Sequence, residues 1–133
     1  MALINEETLD RDEINYFWDS YAVIEYLHGN RNYQKFASKE VNITIFNLAD
    51  IYWSCISEYS EKDSNEIYEK YKEAVKEVDD SVLKEAMKFR KENKKKEVSY
   101  TDCIGYIYAK QHNLIFLTGD KEFEKFSDVE FVK

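Results

Sequence analysis

The chain has 133 residues, 44% hydrophobic and 35% charged, a size and balance that fit one folded domain and exclude both a disordered polymer and a multidomain enzyme. Its formal net charge of −8 argues against a protein that grips nucleic acid over its whole surface, because such binding runs on Lys and Arg displacing counterions from phosphates. No apolar run approaches the roughly 20 residues of a membrane span, the acidic N-terminus lacks the pattern of a secretion signal, and Cys55 and Cys103 show no CxxC spacing, so a cytoplasmic protein with reduced thiols is expected.

Residues 1–133 read as a single domain, with 1–13 as an N-terminal extension expected to be flexible. Ile14 to Trp18 is apolar and aromatic apart from Asn15 and predicts a short buried strand ending at Asp19 and Ser20. The next helix carries Val23, Ile24 and Leu27 on one face and stops at Gly29 and Asn30, which tolerate a left-handed helix end. A short helix from Tyr33 to Ser38 follows. Val41, Ile43 and Ile45 alternate with Asn42 and Thr44, as in a half-buried strand, although the segment could also run into helix.

Leu48, Ile51, Tyr52, Cys55, Ile56 and Tyr59 fall on one helical stripe that is expected to face a core, with Asp50 off its middle and near the helix start. Asp63 with Glu66 resembles a capping arrangement for a helix carrying Ile67, Tyr71, Ala74, Val75 and Val78, with a strand potentially hidden in Val75 to Val78. Asp80 or Ser81 can cap a helix with Val82, Leu83, Ala86 and Met87 inward. Ser99 or Thr101 can cap one with Ile104, Ile107, Tyr108 and Ala109, placing Asp102 in its first turn, where the helix dipole favours a carboxylate. Leu114 to Leu117 predicts a buried strand, Glu122 to Phe126 a short helix, and Val129 to Val132 a closing strand. Strands alternating with helices imply an α/β fold with a parallel sheet and helices on both faces.

In such sheets the ligand crevice lies beyond the C-terminal ends of the strands. Asp19 and Asp120 follow strands, and Asp50 and Asp102 start helices from the same rim, so four carboxylates can converge. Oxygen-only ligands without a Cys or His pattern suit Mg²⁺ or Mn²⁺, and such an ion activates water and stabilises charge on a transferring phosphoryl group. The simpler reading of each aspartate is a helix cap. A receiver-like phosphoacceptor domain also gathers strand-end aspartates, but Asp19 followed by Ser20 does not supply the acidic pair it needs.

The segments WDSYAVIEYL, FNLADIYW, SYTDCIGYIYAK and FLTGDKEFEKF, in that order, resemble the four acidic motifs of the PIN-domain ribonuclease family, including the toxins of VapBC-type toxin and antitoxin pairs. The resemblance spans Ile14 to Val132. It implies a three-layer α/β fold with a parallel sheet of about four to five strands, and an endoribonuclease that depends on Mg²⁺ or Mn²⁺; attack by an activated water opposite the 3′ oxygen would leave 5′ phosphate and 3′ hydroxyl ends. It assigns the four catalytic acids to Asp19, Asp50, Asp102 and Asp120, the metal to Asp19, Asp102 and Asp120, and a steadying role to Thr118. Asp50 stands where the family usually has Glu, one methylene longer, which leaves a catalytically impaired RNA- or protein-binding module as the alternative. Glu122 is a candidate outer ligand, more simply an exposed helix charge, and Ser20 orients Asp19 or caps the first helix. An antitoxin partner and a homodimer are implied as well.

Among the remaining residues, the cluster Lys88, Arg90, Lys91, Lys94, Lys95 and Lys96 is either a solvated helix end or a phosphate-contacting face, with Lys91, Lys94 and Lys95 as candidate RNA contacts. His28 and His112 are expected on the surface. The tyrosines, Trp18 and Trp53 are expected in the core rather than as base-stacking platforms.

Overall fold

The computed structural model describes residues 13–133; residues 1–12 of the expected extension lie outside the described residues. Strand β1 (Tyr16–Trp18) leads into α1 (Ser20–Leu27) and α2 (Arg31–Gln34), then α3 (Ile45–Glu58), α4 (Glu61–Lys72), α5 (Asp80–Glu92) and α6 (Tyr100–Gln111). β2 (Ile115–Thr118), a 3-10 turn at Lys121–Phe123 and β3 (Val129–Phe131) complete the order. The strands pair in parallel in the order β1, β2, β3, with Phe17 opposite Phe116 and Leu117 opposite Glu130.

Alternation along the strands divides the interior into two cores. Tyr16, Trp18 and Leu117 face α1, α2, α3 and α4, packing with Val23, Tyr33, Leu48, Ile51 and Tyr71. Phe17 and Phe116 point the other way, onto α5, α6 and Phe123. Each of these wholly buried aromatics contributes about 1.5 to 3 kcal/mol, so a one-residue register slip would exchange both cores at once. The result is the expected three-layer arrangement with helices on both faces of a parallel sheet, but the sheet has three strands among the described residues rather than the four to five expected. Cys55 and Cys103 sit in opposite cores as free thiols. No helix among the described residues is long and apolar enough to cross a membrane.

The expected strand at Val41 to Ile45 shrinks to one bridge residue. Asn47 stands at the third position of α3, where its Oδ1 accepts from the Thr44 N–H at 2.9 Å, so a capping box starts the helix at Ile45. What remains is a parallel bridge between Ile43 and Val75 beside β1, tied to it by the Trp18 N–H donating to the Asn42 carbonyl at 3.0 Å. The hidden strand at Val75 to Val78 is the other half of that bridge, which is why α4 stops at Lys72. Four further helix bounds move, the short helix expected at Tyr33 to Ser38 standing instead as α2 at Arg31–Gln34. Ser60 rather than Asp63 caps α4, accepting from the Asp63 N–H at 3.1 Å, Asp79 rather than Asp80 or Ser81 caps α5, and the expected helix at Glu122 to Phe126 is the short 3-10 turn.

The α3 stripe is only half covered. Leu48, Ile51 and Cys55 are buried, but Ile56 is 45% exposed; Trp53, also expected in the core, lies off the stripe and is 72% exposed. Helical periodicity marks an apolar face without marking what covers it.

α6 crosses β1 and β2 closely at Gly105, where an added Cβ would stand 2.6 Å from the Phe17 ring. Gly105→Ala should therefore destabilise the fold by about 1 to 3 kcal/mol despite the better helix propensity of Ala, because the contact is overpacked on both sides. Chemical denaturation of the two proteins measures this, and equal midpoints would refute the close packing.

Candidate active site

β1 ends at Trp18, and the chain turns at Asp19 to begin α1. Asp19 does not cap that helix with its side chain; its carboxylate is instead 2% exposed and accepts from the Thr118 hydroxyl at 2.6 Å. Because β1 and β2 are in register up to Trp18 and Leu117, Thr118 arrives next to Asp19 as a consequence of strand pairing. The Thr118 hydroxyl also accepts from the Asp120 N–H at 3.0 Å, so one buried side chain fixes both the first and last acids. Gly119 lies between them under the Tyr21 ring, where no Cβ would fit without striking that ring or the Val132 carbonyl.

Asp120 starts the 3-10 turn, its Oδ1 accepting from the Glu122 N–H at 3.0 Å. Asp102 belongs to a full capping box at the start of α6: Ser99 Oγ accepts from the Asp102 N–H at 3.0 Å, and Asp102 Oδ2 accepts from the Ser99 N–H at 3.1 Å. Asp19, Asp102 and Asp120 thus come from three separate turns and line one cleft of about 360 Å³, together with Ser20, Tyr21, Lys121 and Lys133.

Electrostatics record how close these acids stand. Burial raises the Asp19 carboxyl well above the ordinary range, Asp102 and Asp120 add to the rise, and the Thr118 hydrogen bond opposes it. Burial also raises Asp102, with Asp120 adding to it and the Ser99 bonds opposing. Such a cluster resists full ionisation until a cation compensates it, and an all-oxygen donor set suits a hard divalent ion. The fit is partial in geometry: no three His, Cys, Asp or Glu side chains among the described residues are arranged closely enough to cage an ion without adjustment. An open site of this kind suits magnesium, which keeps several waters.

Asp50 stands apart from the other three. Because α3 begins at Ile45, Asp50 lies in its second turn rather than its first, and it does not line the cleft. Its Oδ2 accepts from the Ser20 hydroxyl at 2.9 Å, and Ser20 in turn accepts from Asn47 Nδ2 at 2.9 Å. Partial burial raises the Asp50 carboxyl and the Ser20 bond lowers it. Ser20 therefore joins Asp50 to the cleft wall beside Asp19, a role that neither capping nor orienting Asp19 describes.

The other sequence-derived candidates fall outside the cleft. Glu122 turns to Lys96, at 4.0 Å, while Lys91, Lys94 and Lys95 are exposed beyond its lining. Arg90 lies 4.2 Å from the Tyr100 ring centroid. His28 pairs with Glu58 at 2.8 Å and His112 stacks on Tyr108, both on the surface as expected. Tyr21, Lys121 and Lys133 were not singled out by motif; only the adjacency of Lys121 to Asp120 hinted at one of them.

The sequence matches the PIN domain family over residues 16–129. The chain belongs to the PIN domain family. This PIN domain is similar in structure to a toxin-antitoxin complex from Klebsiella pneumoniae, at 16% identity and a TM-score of 0.71 over 87% of this chain and 96% of that one. It is also similar to VapBC-1 from nontypeable Haemophilus influenzae, at 16% identity and a TM-score of 0.64 over 89% and 96% of the two chains. A third likeness is to VapBC2 from Rickettsia felis bound to a DNA fragment from its promoter, at 14% identity and a TM-score of 0.64 over 90% and 100%. At these identities the likeness establishes the fold. No curated protein gives a significant sequence match. All of the cleft's acids fall within the matched span.

Proposed function

We propose that this PIN domain is a metal-dependent endoribonuclease of the toxin kind, acting at the Asp19, Asp102 and Asp120 cleft. The observation that carries the reading is the convergence of three carboxylates from separate turns, one of them 2% exposed and held by Thr118. Capping accounts for Asp102 and Asp120 singly but not for the burial of the Asp19 carboxylate beside them, and carboxylates gathered against their own repulsion mark functional sites. Bound there, Mg²⁺ or Mn²⁺ would activate water and stabilise the charge that develops on phosphorus during in-line displacement. Asp19, Asp102 and Asp120 would hold the ion, and Thr118 fixes the Asp19 carboxylate through its hydroxyl. Asp50, through Ser20, braces the wall next to Asp19 and would reach the ion only after the Ser20 bond breaks.

The test is RNA cleavage by the full chain with and without added Mg²⁺ or Mn²⁺. Cleavage that needs the ion and leaves 5′ phosphate ends supports the reading; metal-independent cleavage, or none with either ion, overturns it. One observation favours a second reading, a non-catalytic PIN module: the site presents Asp50 to Ser20 rather than to the cleft. RNA binding without turnover in the same assay would select it.

A protein partner of the antitoxin kind belongs to the same proposal, since the similar structures include toxin-antitoxin complexes. The exposed apolar side of α3, with Ile45, Trp53 and Ile56 around a groove of about 410 Å³, is the surface for it to cover. Trp53→Glu should abolish capture of a co-expressed antitoxin while leaving the monomer folded. Unchanged capture would place the partner elsewhere, and a change in the mass of the free protein would instead make this face the homodimer contact.

A further inference from the structure

We propose that Lys121 and Lys133 form the phosphate grip of this cleft, holding the RNA backbone on either side of the reacting group; the inference rests on the nuclease reading above. Both line the same cleft as Asp19, Asp102 and Asp120, and neither ammonium is taken up by an ion pair among the described residues. The charge balance of the site needs them. Three carboxylates and one divalent cation leave a negative excess facing a polyanion, in a chain whose overall charge is −8. At a few ångströms and an intermediate effective dielectric such repulsion is worth several kcal/mol. Two lysines reverse the sign locally, where the walls of a cleft focus the field, and an ammonium binds phosphate as a point charge without a fixed orientation.

Lys133 is held in place despite its distance along the sequence. The Val132 N–H donates to the Thr118 carbonyl at 2.8 Å, which continues the β2 to β3 pairing to the rim beside Gly119. The Lys133 carbonyl accepts from Asn32 Nδ2 at 2.7 Å, and the Lys133 ammonium lies 5.7 Å from the centroid of the Tyr21 ring that covers Gly119. Lys121 follows Asp120 directly, and its backbone carbonyl is fixed by the Glu124 N–H at 3.2 Å. Lys94 and Lys95, by contrast, are exposed in the turn after α5 and line no part of the cleft.

The experiment measures fluorescence anisotropy of a labelled single-stranded RNA on the full chain in an Asp102→Asn background, across a salt series with Mg²⁺ present. KM and kcat are measured in the unmodified background. Lys121→Met and Lys133→Met should each weaken RNA binding about 5- to 10-fold and flatten the salt dependence by about 0.7 per lysine, the share of one single-strand phosphate contact. KM should rise with little change in kcat, Lys133→Arg should restore binding, and the double variant Lys94→Met with Lys95→Met should behave as the parent. If the parent binds and cleaves RNA while both single variants keep its salt slope, or if the Lys94 and Lys95 pair carries the loss, the grip is overturned and the nuclease reading stands. If the parent neither binds nor cleaves RNA, both are overturned. Thermal melts of each variant confirm that the loss is not one of folding.

Discussion

Asp102→Asn should lower RNA cleavage by on the order of 10³-fold while leaving the fold intact, the scale expected when a group that stabilises the transition state is removed. The substitution separates the two tasks of this side chain. As the third residue of α6 it accepts from the Ser99 N–H at 3.1 Å, and an asparagine oxygen can do the same, so the capping box survives. What is lost is the negative charge beside Asp19 and Asp120. The carboxyl is raised by burial with Asp120 contributing, so the neutral amide is easily accommodated in the protein without metal. Single-turnover cleavage of a labelled RNA in Mg²⁺, with a melting curve on the same sample, checks both halves. A variant that cleaves at the parent's rate removes Asp102 from the site; a variant that fails to fold shows the cap to be the dominant task.

The three acids that line the cleft were legible as candidates because each sits where local chemistry leaves a mark. Asp19 and Asp120 end buried apolar runs, and Asp102 follows a Ser at capping distance. Thr118 was legible only through the family motif, and the reason for it is register: Phe17 pairs with Phe116, so Thr118 meets Asp19. Asp50 was placed too near the start of its helix because the alternation of Val41, Ile43 and Ile45 outweighed a Thr44 and Asn47 capping box, which a strand reading does not look for. Trp53 was expected in the core with the other aromatics, but it lies off the stripe of Leu48, Ile51 and Cys55 and is left exposed. Lys133 could not be found from local pattern at all, since it reaches the rim only through the pairing of Val132 with Thr118. Local rules thus located the acids, and long-range pairing located what holds and surrounds them.

Asp19→Asn should abolish cleavage on a similar scale and yet stabilise the metal-free protein near neutral pH by on the order of 1 kcal/mol, or about 4 °C in Tm, a gain of the size commonly found when function has been maintained against stability. The direction follows from linkage. Burial, with Asp102 and Asp120 adding to it, lifts the folded carboxyl well above its unfolded value of 3.8, so in between the folded state holds more protons than the unfolded one. The parent without metal is therefore not penalised by this group below about pH 4, and it loses stability as pH rises from there through the raised folded pKa. An asparagine has no such window, and its amide can donate to the neighbouring carboxylates while Thr118 keeps a partner. Melting curves in chelator near pH 4 and near pH 7 should show the two proteins converging at acid pH and the variant ahead at neutral pH. Adding Mg²⁺ should close the gap by stabilising the parent alone, since a ligand that binds only the folded state adds its binding free energy to stability. A variant that is less stable than the parent at neutral pH in chelator would mean that Asp19 is held by Thr118 as a structural strut, and that the three carboxylates were not gathered for a cation.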